Sequence, residues 1–315
     1  MKTGLACIGL TTLDVVARAI EALPEGEGTT LIEGIACAPA GTAAGAALVA
    51  AKLGVSVSLA SAVGDDLVGR FIRLALDEAG VDLKALETLP GLPSSTTVLA
   101  VDSAGRRPNF HALGAGMLAA ATPEALAAAR SARFLHYAGI GGPRLDGGPG
   151  ADLIQAAREA GAIVTCDLIS PQASALDELK RLLPYVDYFL PSAAEARMLT
   201  GQDDLFAAAD VFIGLGAGNC LIKDGGRGSV VVLDGVRMTL PAYAIKPIDT
   251  TSCGDSYCAG FIAALDRGWP PLEAARFATA TAALVAQGLA TLGKLESFEA
   301  TEAAMHAMTL NGDVR

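Results

Sequence analysis

The sequence predicts an α/β protein built on a mainly parallel sheet with helices on both faces, carrying a small β-sheet lid. Three observations predict it. Short apolar runs of strand length alternate with Ala-rich runs of helical length through most of the 315 residues. The strand candidates are almost continuously apolar, as strands buried on both faces are. Two stretches flanked by Pro and Gly break the alternation and have the β-branched, half-alternating look of exposed strands.

Taken in chain order, Leu5–Gly9 is the first core strand, with Asp14 expected at its ligand-facing end. Gly26–Ala36 is the first exposed stretch, and Ala43–Leu53 a helix. Ser56–Ala60 returns to the core, Leu67–Ala79 is helical, and Ser95–Val101 is the second exposed stretch. The strands Phe134–Ala138, Ile163–Asp167, Tyr188–Leu190 and Cys220–Lys223 follow, with helices at Gly150–Ala160 and Ala173–Leu183. The lid is drawn from about residues 14–36 and 95–111, and Gly114–Gly116 and Gly139–Gly150 are loops. With no internal repeat and no disordered tail, the expectation is one domain over residues 1–315. Open parallel sheets bind ligands beyond the carboxyl ends of their strands, so residues there are site candidates.

Composition excludes some functions. A hydrophobic content of 52% with 18% charged residues implies a large core. A net charge of −11 argues against a nucleic-acid groove or an anionic membrane surface. It does not argue against ATP, because a local nest of backbone amides and a bound cation can overcome the global field. The six cysteines (Cys7, Cys37, Cys166, Cys220, Cys253, Cys258) form no CxxC pair, and His111, His136 and His306 lack zinc spacing. Core cysteines without a disulfide pattern suit a reducing compartment. The apolar start Gly4–Leu10 could mimic a signal segment, but Asp14 and Arg18 arrive too soon, and no apolar run spans a bilayer. A cytoplasmic location is expected.

The segment with the clearest chemistry is Asp249-Thr250-Thr251-Ser252-Cys253-Gly254-Asp255, followed by the helical run Ser256–Leu265. Its tight turn delivers a carboxylate to a helix start, where unpaired N–H groups and the macrodipole favour an anion. An Asp there can take a proton from a substrate hydroxyl while the amides hold a migrating phosphoryl group. The helix field is expected to keep Asp255 ionised, and a thiol at Cys253 to have a lowered pKa if accessible. The simpler view of Cys253 is a small residue filling a slot meant for Ala.

Other segments are weaker alone. Ala40-Gly41-Thr42-Ala43-Ala44-Gly45 opens a helix with small residues, which allows either ligand approach or tight packing. Lys223–Gly228 fits a nucleotide loop or a plain hairpin, and Ser192 with Glu195 fits an ordinary capping box. Asp14 suits a pair of sugar hydroxyls or a helix cap.

In their order and spacing, these segments resemble the ribokinase-like (PfkB) family of carbohydrate and nucleoside kinases over essentially the whole chain. Asp249–Asp255 resembles that family's DTTGAGD signature, and Gly41–Gly54 its N-terminal signature. Gly64-Asp65-Asp66 with Gly69, then Ala79-Gly80-Val81-Asp82, matches the following helix and turn. Ser192–Glu195 falls on the family's Asn-x-x-Glu motif and Lys223–Gly228 on its nucleotide loop.

The resemblance implies an ATP- and Mg²⁺-dependent sugar kinase with a ribokinase-like fold. It implies that Asp255 is the base and that Ser252, Cys253 and Gly254 shape the anion hole. Asp14, Gly41, Thr42 and position Gly45 would face the acceptor. Ser192, Lys223, Gly225, Gly228 and Thr279 would line the nucleotide site. Glu195 would organise Mg²⁺ through water, and Asp249 and Thr251 lie where many members bind a monovalent cation such as K⁺.

Four departures stand out: Ala40 for Gly, Gly45 for Asn, Ser192 for Asn, and Ser252-Cys253 for Gly-Ala. Gly114-Ala115-Gly116 replaces a Gly-Ala-Asn found in some members. A nucleoside kinase of the same fold and a catalytically silent ligand-binding homologue are the alternatives. The scarcity of aromatic residues near the acceptor loops weighs against a stacked base, with Phe110 and His111 as the exceptions. A dinucleotide-dependent oxidoreductase is disfavoured because no GxGxxG follows the first strand. The lid strands could pair between two chains as a homodimer.

Overall fold

The computed structural model of the chain describes residues 4–168 and 175–313. The start of the helix expected at Ala173–Leu183 lies outside the described residues, as do Met1–Thr3. The strands are β1 (Leu5–Gly9), β2 (Thr12–Arg18), β3 (Gly34–Ala40), β4 (Val57–Gly64), β5 (Leu86–Leu89), β6 (Thr96–Val101), β7 (Asn109–Ala112), β8 (Phe134–Ile140), β9 (Ile163–Leu168), β10 (Tyr188–Phe189), β11 (Asn219–Lys223), β12 (Ser229–Leu233) and β13 (Val236–Leu240). The α-helices are α1 (Ala44–Lys52), α2 (Leu67–Glu78), α3 (Pro123–Ser131), α4 (Pro149–Glu159), α5 (Ala175–Leu182), α6 (Ala193–Thr200), α7 (Leu205–Gly214), α8 (Cys253–Asp266), α9 (Pro271–Val285) and α10 (Phe298–Ala307).

Nine strands form one sheet in the order β13-β12-β11-β10-β9-β8-β1-β4-β5. Every pair from β11 to β5 is parallel, and the β11–β12–β13 edge is antiparallel. The apolar continuity of the core strands has a direct cause. Leu5 and Cys7 of β1 join a cluster with α1, α8 and α9, whereas Ala6 and Ile8 join a second cluster with α3, α4, α5 and α7. Both faces are covered, so both residue parities must be apolar. Small residues let α1 lie against α8, and this contact carries the base candidate to its place.

The lid is a separate four-stranded sheet, β3-β2-β6-β7. Its outer pairs are antiparallel and its central β2–β6 pair is parallel. Two expectations are corrected here. Asp14 does not end the first core strand; it sits within β2, opposite Ala38 and Thr97. Of the stretch Gly26–Ala36, only the part from Gly34 is a strand, because β2 ends at Arg18 and leaves residues 26–33 with no partner ladder among the described residues. Val16, Leu99 and Val101 are buried on the inner face of the lid, against Leu289 and Ala290. Among the described residues, no helix is long and apolar enough to cross a membrane.

Candidate active site

The loop entering α8 is held by its first residue. Asp249 is buried, and its carboxylate accepts from Thr251 N (2.8 Å), Thr251 Oγ1 (2.6 Å) and Ala290 N (2.9 Å). Both of its oxygens are thus spent on shaping the turn. Ser252 adopts the left-handed conformation (φ 54°) before the helix begins, a conformation rare for a residue with a side chain. Ser256 N donates back to Ser252 O (2.8 Å), which leaves the N–H groups of Gly254 and Asp255 without an acceptor among the described residues. These two donors open into a cavity of about 1300 Å³ that Ser252, Cys253, Gly254 and Asp255 line.

Facing this turn are the carboxyl ends of β9 and β11. Lys223 Nζ donates to Asp167 Oδ2 at 2.5 Å, and the Cys258 thiol donates to the same oxygen at 3.3 Å. Ser192 and Glu195 form the expected capping box of α6, with Ser192 N donating to Glu195 Oε2 at 2.7 Å. Asp14, Asp167, Glu195 and Asp255 all line the cavity. Burial is the largest cause that raises the Asp255 carboxyl to about 7, followed by the charges of Asp167 and, more weakly, Asp14; Lys223 and the Ser252 hydroxyl oppose the rise. This corrects the expectation that the helix field keeps Asp255 ionised at neutral pH: desolvation among like charges outweighs the dipole. Burial and Asp167 likewise raise Glu195, with Lys223 and the Ser192 hydrogen bonds opposing.

Cys253 is corrected as well. Its thiol is pushed up to about 12, by burial first and by Asp249 second, and it donates to Ala282 O at 3.6 Å. It fills a small slot and is not an activated thiolate.

The opposite wall belongs to the lid. Burial raises Asp14 to about 6, against the pull of Thr97 and Arg107, and its Oδ1 is buried without a partner among the described residues. Thr97 Oγ1 lies 3.0 Å from His111 Nδ1 and 3.3 Å from Thr12 Oγ1, so the inner lid face carries a polar row. Arg107 Nε donates to Thr250 Oγ1 (2.8 Å) and Arg18 Nη1 to Ile248 O (2.5 Å), tying the lid to the loop that leads into α8. His111 lines the cavity, but Phe110 does not; alternation along β7 turns it to the outer face, where it is exposed.

Gly41 reaches the cavity at φ 92°, where a Cβ would meet Leu10 O at 2.7 Å. The Thr42 hydroxyl is committed to Ala138 O (2.9 Å). Gly45 does not line the cavity. It lies behind Asp255, and a Cβ there would come within 2.9 Å of Asp255 Oδ2. Lys223, Gly225, Gly228, Thr279, Tyr243 and Asn311 also line the cavity. Gly228 adopts φ 97°, and a Cβ there would strike Leu240 O at 1.9 Å, so only glycine fits this turn.

The structure therefore brings most of the expected residues to one cavity and leaves out Gly45 and Asp249. It adds Asp167, Arg107, Thr97 and Asn109. Asp167 had a usable signal, since it stands at the carboxyl end of a core strand. Arg107 lies in an irregular loop and carried none.

Comparison with known proteins agrees with this geometry. The family model described as pfkB family carbohydrate kinase matches residues 2–296. The chain belongs to the PfkB carbohydrate kinase family. Among curated relatives, a nucleoside kinase of Methanothermobacter thermautotrophicus is 27% identical over 90% of this PfkB chain and 89% of its own. A fructokinase of Klebsiella pneumoniae is 29% identical over 78% of this chain and 81% of its own. The structure of Arabidopsis thaliana ribokinase complexed with ribose and ATP superposes with a TM-score of 0.78 at 23% identity, covering 97% of this chain and 99% of that one. This PfkB member therefore shares the ribokinase fold, lid included.

Proposed function

We propose that this chain transfers the terminal phosphoryl group of ATP to a hydroxyl of a small sugar or sugar derivative. The observation that carries the reading is the Asp255 carboxylate standing beside the uncommitted amides of Gly254 and Asp255, with Asp14 on the facing wall. Asp14 accepts from hydroxyls of the acceptor and orients it, and its partnerless Oδ1 is the atom available for that bond. Asp255, near neutrality in its pKa, takes the proton of the attacking hydroxyl. A base tuned to the working pH is worth roughly 10²–10⁴-fold, about 3–5 kcal/mol. The free amides hold the migrating phosphoryl group, which in a loose transition state needs position and charge more than covalent help.

The cavity wall that includes Lys223, Gly225, Gly228 and Thr279 suits the nucleotide, since glycines at positive φ let its phosphates approach the main chain. Mg²⁺ keeps most of its water and takes one or two carboxylates plus phosphate oxygens. Glu195 on the cavity wall fits that demand, and the ion would screen phosphate charge there. The lid suits a second role. Ile35, Val98 and Phe110 are exposed apolar residues on its outer face, and we take that face as the contact between two copies of the chain. Light scattering showing a dimer that Val98→Glu dissociates supports the contact; a monomer at micromolar concentration refutes it.

ADP release measured over a panel of sugars and nucleosides tests the enzyme reading. Turnover above 1 s⁻¹ with at least one acceptor is the expected order of magnitude. No acceptor-dependent ADP release across the panel would point instead to a silent ligand-binding homologue.

A further inference from the structure

Beside the acceptor lobe lies a second recess of about 370 Å³, lined by Leu92, Pro93, Leu113, Gly114, Met117, Leu118 and Pro143. None of these side chains is polar. Leu113 and Met117 line the main cavity too, so the recess adjoins it across these two side chains. Leu113 is 71% exposed and Leu92 40% exposed, unusual for large aliphatic residues at the mouth of a polar site. Thr97, Asn109 and His111 line the main cavity with Asp14, and His111 precedes Leu113 by two residues.

We propose that the acceptor is a nucleoside: a ribose whose hydroxyls face Asp14 and Asp255, carrying an uncharged planar base that occupies this recess. The inference rests on the kinase reading for its chemistry and on the recess for its substrate class. One molecule must present hydroxyls to the carboxylates and an apolar body to the annex a few side chains away. A free pentose or hexose meets the first demand and leaves Leu92, Leu113 and Met117 wet. A base meets both, with apolar faces for the aliphatic walls and polar edges for Asn109 and His111 at the rim. Met117 adds a thioether where an aromatic face would lie, a favourable contact in a recess that no Trp or Tyr among the described residues lines. An acceptor substituent with a formal charge is disfavoured, since no charged side chain among the described residues lines the recess. Aromatic scarcity, which by itself weighs against a base, is thus answered by aliphatic packing.

The test is calorimetric binding to the Asp255→Asn protein with ATP present, so that turnover does not blur the measurement. Probes are adenosine, guanosine, inosine, cytidine, uridine and free ribose. At least one nucleoside should bind fivefold or more tightly than ribose. Leu92→Glu, at a partly exposed position that tolerates a charge, should lower the nucleoside-to-ribose affinity ratio at least fivefold. If every nucleoside falls short of fivefold, or the ratio survives Leu92→Glu, the recess does not hold a base. Wild-type ADP release is scored separately. A nucleoside preference in binding without any ADP release would sink the kinase reading and leave the recess assignment standing.

Discussion

Replacing Asp255 with Asn should stabilise the unliganded protein while removing most of its turnover. Asp255 shares the cavity with Asp167, Glu195 and Asp14, and Lys223, the cation opposing its rise, already bonds Asp167 at 2.5 Å. Its carboxyl moves from 3.8 to about 7 in the fold. Taken whole, that shift costs at most about 4 kcal/mol of stability once the group is ionised. The side chain is half-buried on the wall of an open cavity, and solvent screening reduces the cost to about 1–2 kcal/mol. The sign follows from proton linkage. A carboxyl whose folded pKa is raised favours the fold below its unfolded pKa, and that advantage is lost as pH rises through about 7. Asn cannot ionise, so at pH 8 the variant should melt roughly 1–3 °C above the parent. At pH 5 the parent is itself protonated in the fold, and the gap should shrink by more than half. Calorimetric melting of both proteins at the two pH values, with ADP release alongside, makes the measurement. A variant that melts below its parent at pH 8, a gap that ignores pH, or turnover within tenfold of the parent would each refute the reasoning.

Two further outcomes follow from the same electrostatics. The acceptor kcat/KM should rise with pH and level off above about 7, lying about tenfold below its plateau at pH 6, because only ionised Asp255 accepts the proton; a profile flat down to pH 5 would exclude Asp255 as the base. Lys223→Met should destabilise the protein by about 3–5 kcal/mol, since it leaves the buried Asp167 carboxylate without its cation. Urea unfolding at pH 8 measures this, adding Asp167→Asn should recover part of the loss, and a loss below about 1 kcal/mol would show the pair to be dispensable.

Much of the fold was legible because the core strands are buried on both faces. Leu5–Gly9, Phe134–Ile140 and Ile163–Leu168 are apolar at both parities, and that run announces itself whatever surrounds it. The lid was harder for a physical reason. A strand exists only where a partner ladder exists, and Thr12–Arg18 shows no clean break from the strand that precedes it. Asp14 was thus attached to the wrong strand, although it still lines the cavity at the carboxyl edge of the sheet. Local patterns also could not show Asp167 bonded to Lys223, because 56 residues and an intervening strand separate the two.

The departures from the family pattern have physical reasons in the folded chain. Gly45, where the family carries Asn, stands behind Asp255, and the absence of a side chain there leaves the space that the carboxylate fills. Ser192 keeps the capping box that aims Glu195 into the cavity, so the shorter side chain still orients that carboxylate. Neither change removes a proton acceptor or an amide donor from the reaction centre. The first makes room, and the second holds position. Discrimination among acceptors then has to come from elsewhere, and the parts with distinct chemistry are the polar row Thr97-His111 on the lid and the aliphatic recess beside it. In the proposed reaction the turn from Asp249 to Asp255 supplies the base and the amides, and Asp14, Glu195 and Lys223 stand around it. In the proposed selectivity the deciding side chains are Leu92, Leu113 and Met117, three residues that no motif contains and that only the folded chain brings to one place.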